Sequence, residues 1–71
     1  MKKYAKIKGM SCEHCVARVT NALNEIDGIS YVKVNLKKGI AVFDADEDVK
    51  NQEIIDAIED AGYEIKEVDW E

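Results

Sequence analysis

The only two cysteines and the only histidine of this 71-residue chain fall within four positions, in the stretch Gly9-Met10-Ser11-Cys12-Glu13-His14-Cys15. Two thiols three residues apart in the first turn of a helix lie on nearly one face, so their sulfurs can converge on one small ion. A helix N-terminus favours anions, because its first backbone N–H groups are unpartnered and the helix dipole is positive there. Thiols at such a place release their protons more readily, and metal binding by cysteine requires that release.

Ligand number and softness narrow the choice of ion. Two thiolates without an evident third and fourth ligand suit a soft d¹⁰ ion content with low coordination, of which Cu(I) is the physiological case and Hg(II) or Ag(I) the toxic ones. Zn(II) takes four ligands in structural sites. His14, between the cysteines on a helical turn, points away from where they converge and is read as a residue that tunes the thiols rather than as a third ligand. Thiol redox is the competing chemistry, since Cys-x-x-Cys is also the thioredoxin signature. Against it, the chain is short for that fold and has no proline to supply an active-site bend. A structural disulfide across so small a ring would constrain little chain entropy. The chain is therefore read as a metal binder and not as an enzyme.

The elements that must hold those thiols follow from periodicity. Residues 3–8 alternate, with Ala5 and Ile7 on one side and Tyr4, Lys6 and Lys8 on the other, as in a half-buried strand. Gly9 breaks it, and Ser11 is the expected N-cap of an amphipathic helix over residues 12–27. Its apolar stripe is Val16, Val19, Leu23 and Ile26, with Gly28 just past its end. Residues 29–36 alternate again, and Lys37-Lys38-Gly39 reads as a tight hairpin into a strand at 40–44. Phe43 is expected inward because it has the largest area to hide. An acidic loop over 44–48 leads to a second helix, capped by Asp48 or Asn51, with Ile54, Ile55, Ile58 and Ala61 inward and Gly62 at its end. A final strand covers 63–68, and Asp69-Trp70-Glu71 is a tail.

The order strand, helix, strand, strand, helix, strand closes most simply as an α+β, ferredoxin-like βαββαβ domain spanning residues 1–71. Right-handed crossovers give a four-stranded antiparallel sheet with both helices on one face. The last strand then lies beside the first, bringing Lys6 or Lys8 near Glu64 or Glu67.

Hydrophobic residues make up 46% and charged residues 35%, the balance of a folded globule rather than a disordered chain. A net charge of −5 argues against sequence-independent nucleic-acid binding. There is neither a membrane span of ~18 apolar residues nor the ~7–15 residue apolar core of a secretory signal, so a cytoplasmic protein with reduced cysteines is expected. Charge is uneven: residues 1–40 carry eight Lys/Arg against three Asp/Glu, and residues 41–71 carry two against twelve. Pairing within the fold accounts for this most simply; a polarised surface that steers docking is the sharper reading.

Gly9-Met10-x-Cys12-x-x-Cys15 after a strand, the run Val32 to Leu36, Phe43-Asp44-Ala45-Asp46 and Asp56-Ala57-Ile58-Glu59-Asp60 before Gly62-Tyr63 together resemble the heavy-metal-associated domain, most closely the bacterial cytosolic copper chaperones. The resemblance covers nearly the whole chain. It implies that Cys12 and Cys15 are Cu(I) ligands, that Met10 packs beneath the metal loop, and that Tyr63 is the aromatic beside the site; His14 also occurs in some bacterial members. The partner it implies is the metal-binding domain of a copper-transporting P-type ATPase, with a copper-responsive repressor as a further one. The metal-free form is expected to be a monomer, and facing cysteine pairs offer a metal-bridged dimer. Two features depart from the family pattern: the hairpin and third strand look about two residues short, and the tail carries Trp70.

Overall fold

The computed structural model describes all 71 residues. Alternation and helical periodicity resolve into β1 (Lys2–Lys8), α1 (Glu13–Asn24), β2 (Ile29–Asn35), β3 (Ile40–Ala45), α2 (Asn51–Asp60) and β4 (Glu64–Trp70). The four strands form one antiparallel sheet in the order β2-β3-β1-β4, the expected ferredoxin-like arrangement. Its inner face contributes Ala5, Ile7, Ala41, Phe43 and Ala45 to a core shared with Val19 and Leu23 of α1 and Ile54 and Ile58 of α2. Phe43 points inward as expected, while Ile55 and Ala61 are only half-buried.

Several boundaries differ from the sequence reading, each for a local reason. Cys12, not Ser11, occupies the N-cap of α1, with extended backbone (φ −157°, ψ 174°) and no capping bond from its side chain. Its carbonyl accepts from the N–H groups of Cys15 and Val16, which sets the start of the helix one residue later. The same helix stops at Asn24, short of residue 27, because the Ile26 N–H turns to the Leu23 carbonyl and tightens the last turn. Neither Asp48 nor Asn51 caps α2; Lys50 holds that position, and Asn51 is the first helical residue. β3 extends to Ala45 because Asp44 and Ala45 still have partners, Lys2 and Ser30 beside Asp44 and Ile29 beside Ala45. β4 extends through Trp70, which pairs with Lys3, so the supposed tail is strand. An irregularity opposite Lys6 and Ile7 explains the imperfect alternation of β4.

The parity that sends Ala5 and Ile7 inward also sends Lys3 inward, where it is only 2% exposed. Its ammonium donates to the Asn51 side-chain oxygen and lies 4.1 Å from the centroid of the Trp70 ring. Burial lowers its pKa from the ordinary value, with Asp69 acting in the opposite sense. On the other sheet edge, a bulge in β2 sets Tyr31 at φ 54°, the one non-glycine residue in the left-handed region.

Gly28 is required twice over, by φ +95° and by a close approach: a Cβ there would lie 2.8 Å from Val49 Cγ2. Between β1 and the edge strand β4 Lys6 meets Glu67 at 4.0 Å, the expected cross-strand pair, and Lys8 stands opposite Glu64. A single half-exposed pair of this kind contributes roughly 0.2–1 kcal/mol. No helix is long and apolar enough to cross a membrane.

Candidate metal centre

The chain leaves β1 at Gly9 and enters α1 at Cys12, so Cys12 stands at the helix N-cap and Cys15 in the first turn, both at one pole of the sheet. Cys12 is exposed and Cys15 half-buried, both are free thiols, and their sulfurs are 3.8 Å apart. The Ser11 hydroxyl, released from any capping role, lies 4.0 Å from the Cys15 sulfur.

The surroundings favour a thiolate at Cys15, whose pKa falls from 9.0 to about 6. The backbone N–H of Ser11 contributes most, the Tyr63 hydroxyl next, and the backbone and thiol of Cys12 add to both, while partial burial opposes them. Tyr63 shifts the other way: its bond to Cys15 chiefly, then burial and the sulfur's charge, raise its pKa, and Arg18 counteracts them. Arg18 is thus drawn to the site's edge, a residue the sequence reading passed over although it lies one turn beyond Cys15 on α1.

Tyr63 reaches the thiols from the far end of the chain because of how α2 ends. Ala61 is the C-cap; the Gly62 N–H bonds to the Glu59 carbonyl at 3.0 Å and the Tyr63 N–H to the Ile58 carbonyl at 3.1 Å. That pair of bonds, with Gly62 at φ +99°, is the Schellman arrangement, and it fixes where the next residue points. The ring of Tyr63 lies against Gly9, 3.7 Å from where a Cβ would stand.

Ser11, Cys12, Cys15 and Tyr63 therefore come together. Met10 is half-buried and packs against the core cluster. His14 is exposed, and its side chain makes no ion pair. No group of three or more His, Cys, Asp or Glu side chains is gathered anywhere so as to hold a metal ion. The pair of thiols stands without a third candidate ligand of those types.

A sequence model of the heavy-metal-associated domain matches residues 5–64, from the middle of β1 to the start of β4. The chain belongs to the heavy-metal-associated domain family. Among curated relatives it is 48% identical over 65 residues to the copper chaperone CopZ of Bacillus subtilis, covering 89% of this chain and 93% of that protein. Among solved structures it matches a CopZ metallochaperone with a TM-score of 0.86 at 39% identity, covering 92% of this chain and 98% of that one. It also matches a copper-binding domain from HMA7, a P-type ATPase, with a TM-score of 0.85 at 34% identity over 99% of this chain and 100% of that one. In this heavy-metal-associated domain the two free sulfurs lie within the matched span, where the β1–α1 connection enters α1.

Proposed function

We propose that this chain is a copper carrier in which Cys12 and Cys15 bind Cu(I) as a dithiolate and pass it to a partner by ligand exchange. The observation that carries the reading is the pair of free sulfurs 3.8 Å apart at the start of α1, one exposed and one half-buried, with no third His, Cys, Asp or Glu gathered beside them. Such a site suits a soft ion of low coordination number.

The exchange follows from that incompleteness. With metal–thiolate bonds of about 2.3 Å, two sulfurs at their present spacing would hold an ion at a bent angle, and rotation of the exposed Cys12 side chain widens it. An incoming thiolate from the partner adds as a third sulfur, one of this chain's cysteines leaves, and a second exchange completes the transfer. The number of sulfurs on the ion rises before it falls, so tight binding does not impose slow release. The cargo stays Cu(I) throughout, and this chain catalyses no reaction.

Tyr63 and the Ser11 N–H stabilise the Cys15 sulfur, Met10 supports the loop from the core, and His14 adjusts the exposed side of the site. The metal-binding domain of a copper-transporting P-type ATPase is the recipient, in the cytoplasm; likeness to both a copper chaperone and an ATPase copper-binding domain supports this pairing. A second reading rests on that second likeness, because the chain covers the whole of the HMA7 domain: it would itself serve as the metal-binding domain of an ATPase. The neighbouring reading frame distinguishes the two.

Titration of Cys12→Ser and Cys15→Ser against a competing Cu(I) chelator tests the proposal. Each variant is expected to lose high-affinity binding while its far-ultraviolet circular dichroism stays that of the parent. Unchanged affinity in both would refute it.

A further inference from the structure

Two free sulfurs 3.8 Å apart are little beyond contact distance, and a sulfur–sulfur bond of about 2.05 Å needs them to close by less than about 2 Å. The backbone already holds them in register for that. The Cys12 carbonyl accepts from the N–H groups of Cys15 and Val16, which fixes both cysteines within one turn. Cys12 lies just outside the helix with extended backbone, its side chain exposed and without a capping bond, so turning that side chain brings its sulfur toward Cys15. The ring so formed runs only from Cys12 to Cys15 and constrains little chain, so the fold has no cause to change.

The donor set decides what happens to copper that arrives oxidised. Cu(II) is held by nitrogen and oxygen ligands in square or tetragonal arrangements, whereas thiolates suit Cu(I). No group of three or more His, Cys, Asp or Glu side chains is gathered at these sulfurs, and the only imidazole, His14, is exposed. Cu(II) therefore meets two adjacent electron donors and no gathered set of the ligands that would keep it oxidised.

We infer that Cys12 and Cys15 together act once as a two-electron reductant of Cu(II), and that copper must therefore reach this chain already reduced. Two Cu(II) ions take one electron each. Both electrons come from the two sulfurs, which join as a Cys12–Cys15 disulfide, and the two thiol protons pass to water. The two Cu(I) ions are released, because metal binding needs thiolates and the disulfide has none. The reaction consumes the site, so it is a single event and not a catalytic cycle. The step that supplies the carrier is accordingly a one-electron reduction of Cu(II) by a separate electron donor, completed before the ion arrives. The reduction stands on the geometry of the sulfurs, whereas this place in a reaction sequence rests on the copper-carrier reading.

The test uses the full chain, metal-free, reduced, desalted and kept without oxygen, with Cu(II) added as its glycine complex and followed by electron paramagnetic resonance. The Cu(II) signal is expected to vanish for the first two ions per chain and to persist for any added beyond them. At that point no thiol should titrate, and the mass should be that of a single chain less two hydrogens. A Cu(I) chelator added only then should recover both ions, and far-ultraviolet circular dichroism should be unchanged. Cys15→Ser and Cys12→Ser should each reduce one ion per chain and couple two chains through an intermolecular disulfide. Coupling should be faster in Cys15→Ser, which keeps the exposed Cys12, than in Cys12→Ser, which keeps the half-buried Cys15. Cys12→Ser with Cys15→Ser should leave the signal intact. A parent whose Cu(II) signal persists, that reduces only one ion per chain, or whose disulfide joins two chains would overturn the inference, as would reduction by the double variant. Titration of the same preparation with Cu(I) keeps the two readings apart: tight Cu(I) binding with an undiminished Cu(II) signal overturns the reduction alone, and reduction without Cu(I) binding overturns the carrier reading alone.

Discussion

Lys3 offers the sharpest test of how this small core is held together, because its stem and its charge act in opposite directions. The side chain is 2% exposed, packed among inward-facing residues, and ends between the Asn51 side chain and the Trp70 ring. Truncation to alanine removes three methylenes, about 2.4 kcal/mol at roughly 0.8 each, with a further cost for the space left behind. Lys3→Ala is therefore expected to lower unfolding stability by about 2–4 kcal/mol. Lys3→Met keeps most of the stem and removes the ammonium, losing a charge-assisted bond of about 1.5–3 kcal/mol and a cation–π contact of about 0.5–2 kcal/mol. It also removes the cost of holding a charge out of water, several kcal/mol per ion. Asn51 is exposed and can turn to solvent, so no polar group is stranded. The terms nearly cancel, and Lys3→Met is expected within about 1 kcal/mol of the parent or above it.

Urea unfolding followed by far-ultraviolet circular dichroism measures both, with the fluorescence of Trp70, the only tryptophan, as a local reporter. The pH dependence gives an independent reading. Because folding lowers the Lys3 pKa, its charged form is disfavoured in the native state, and the parent should gain stability as pH rises through the lowered value toward the ordinary 10.5. Lys3→Met should lack that component. A methionine variant as unstable as the alanine variant would refute the reasoning, since it would mean that the ammonium and not the stem stabilises the fold.

Gly28→Ala combines a left-handed backbone with a Cβ 2.8 Å from Val49 Cγ2, and it should cost about 2–4 kcal/mol in the same urea assay. Gly62→Ala at φ +99°, with nothing within 4 Å of the added atom, should lose only the backbone part, about 1 kcal/mol; equal losses would contradict the steric account. Thiolate ultraviolet absorbance of the metal-free protein should show a transition near pH 6 for Cys15. Tyr63→Phe should move that midpoint upward while leaving it below 9.0, because the Ser11 N–H contributes more than the hydroxyl; an unmoved midpoint would exclude the Tyr63 contact. The depressed value also means that Cys15 stabilises the fold fully above its ordinary 9.0 and loses that contribution as pH falls from there to about 6, so unfolding midpoints should drop across that window in the parent and not in Cys15→Ser.

The strand and helix order, the pairing of first and last strands and the inward Phe43 could all be read from periodicity, because alternation and the 3.6-residue stripe record which face is buried. The helix N-cap could not. Ser11 has the better capping chemistry, yet the extended backbone of Cys12 takes that position, a choice made by the turn at Gly9 and not by side-chain preference. The inward Lys3 was implicit in the parity of β1 but masked by residue type. Its burial depends on two distant partners, Asn51 and Trp70, and Trp70 was assigned to a tail because the irregularity in β4 interrupts the alternation that would have extended the strand.

At the candidate metal centre the two sulfurs were visible as a local motif, whereas the side chain that most affects Cys15 arrives across the fold. Tyr63 is delivered by the end of α2, where Gly62 alone among common residues adopts the required backbone without strain, and Gly9 leaves room for the ring. The environment of the thiols therefore depends on a helix terminus nearly fifty residues away in sequence, through contacts that involve no ligand. In Gly62→Ala the thiolate transition of Cys15 should consequently shift upward as it does in Tyr63→Phe, even though residue 62 touches neither sulfur. A transition unchanged in Gly62→Ala but moved in Tyr63→Phe would show that the loop holds the ring without the helix end.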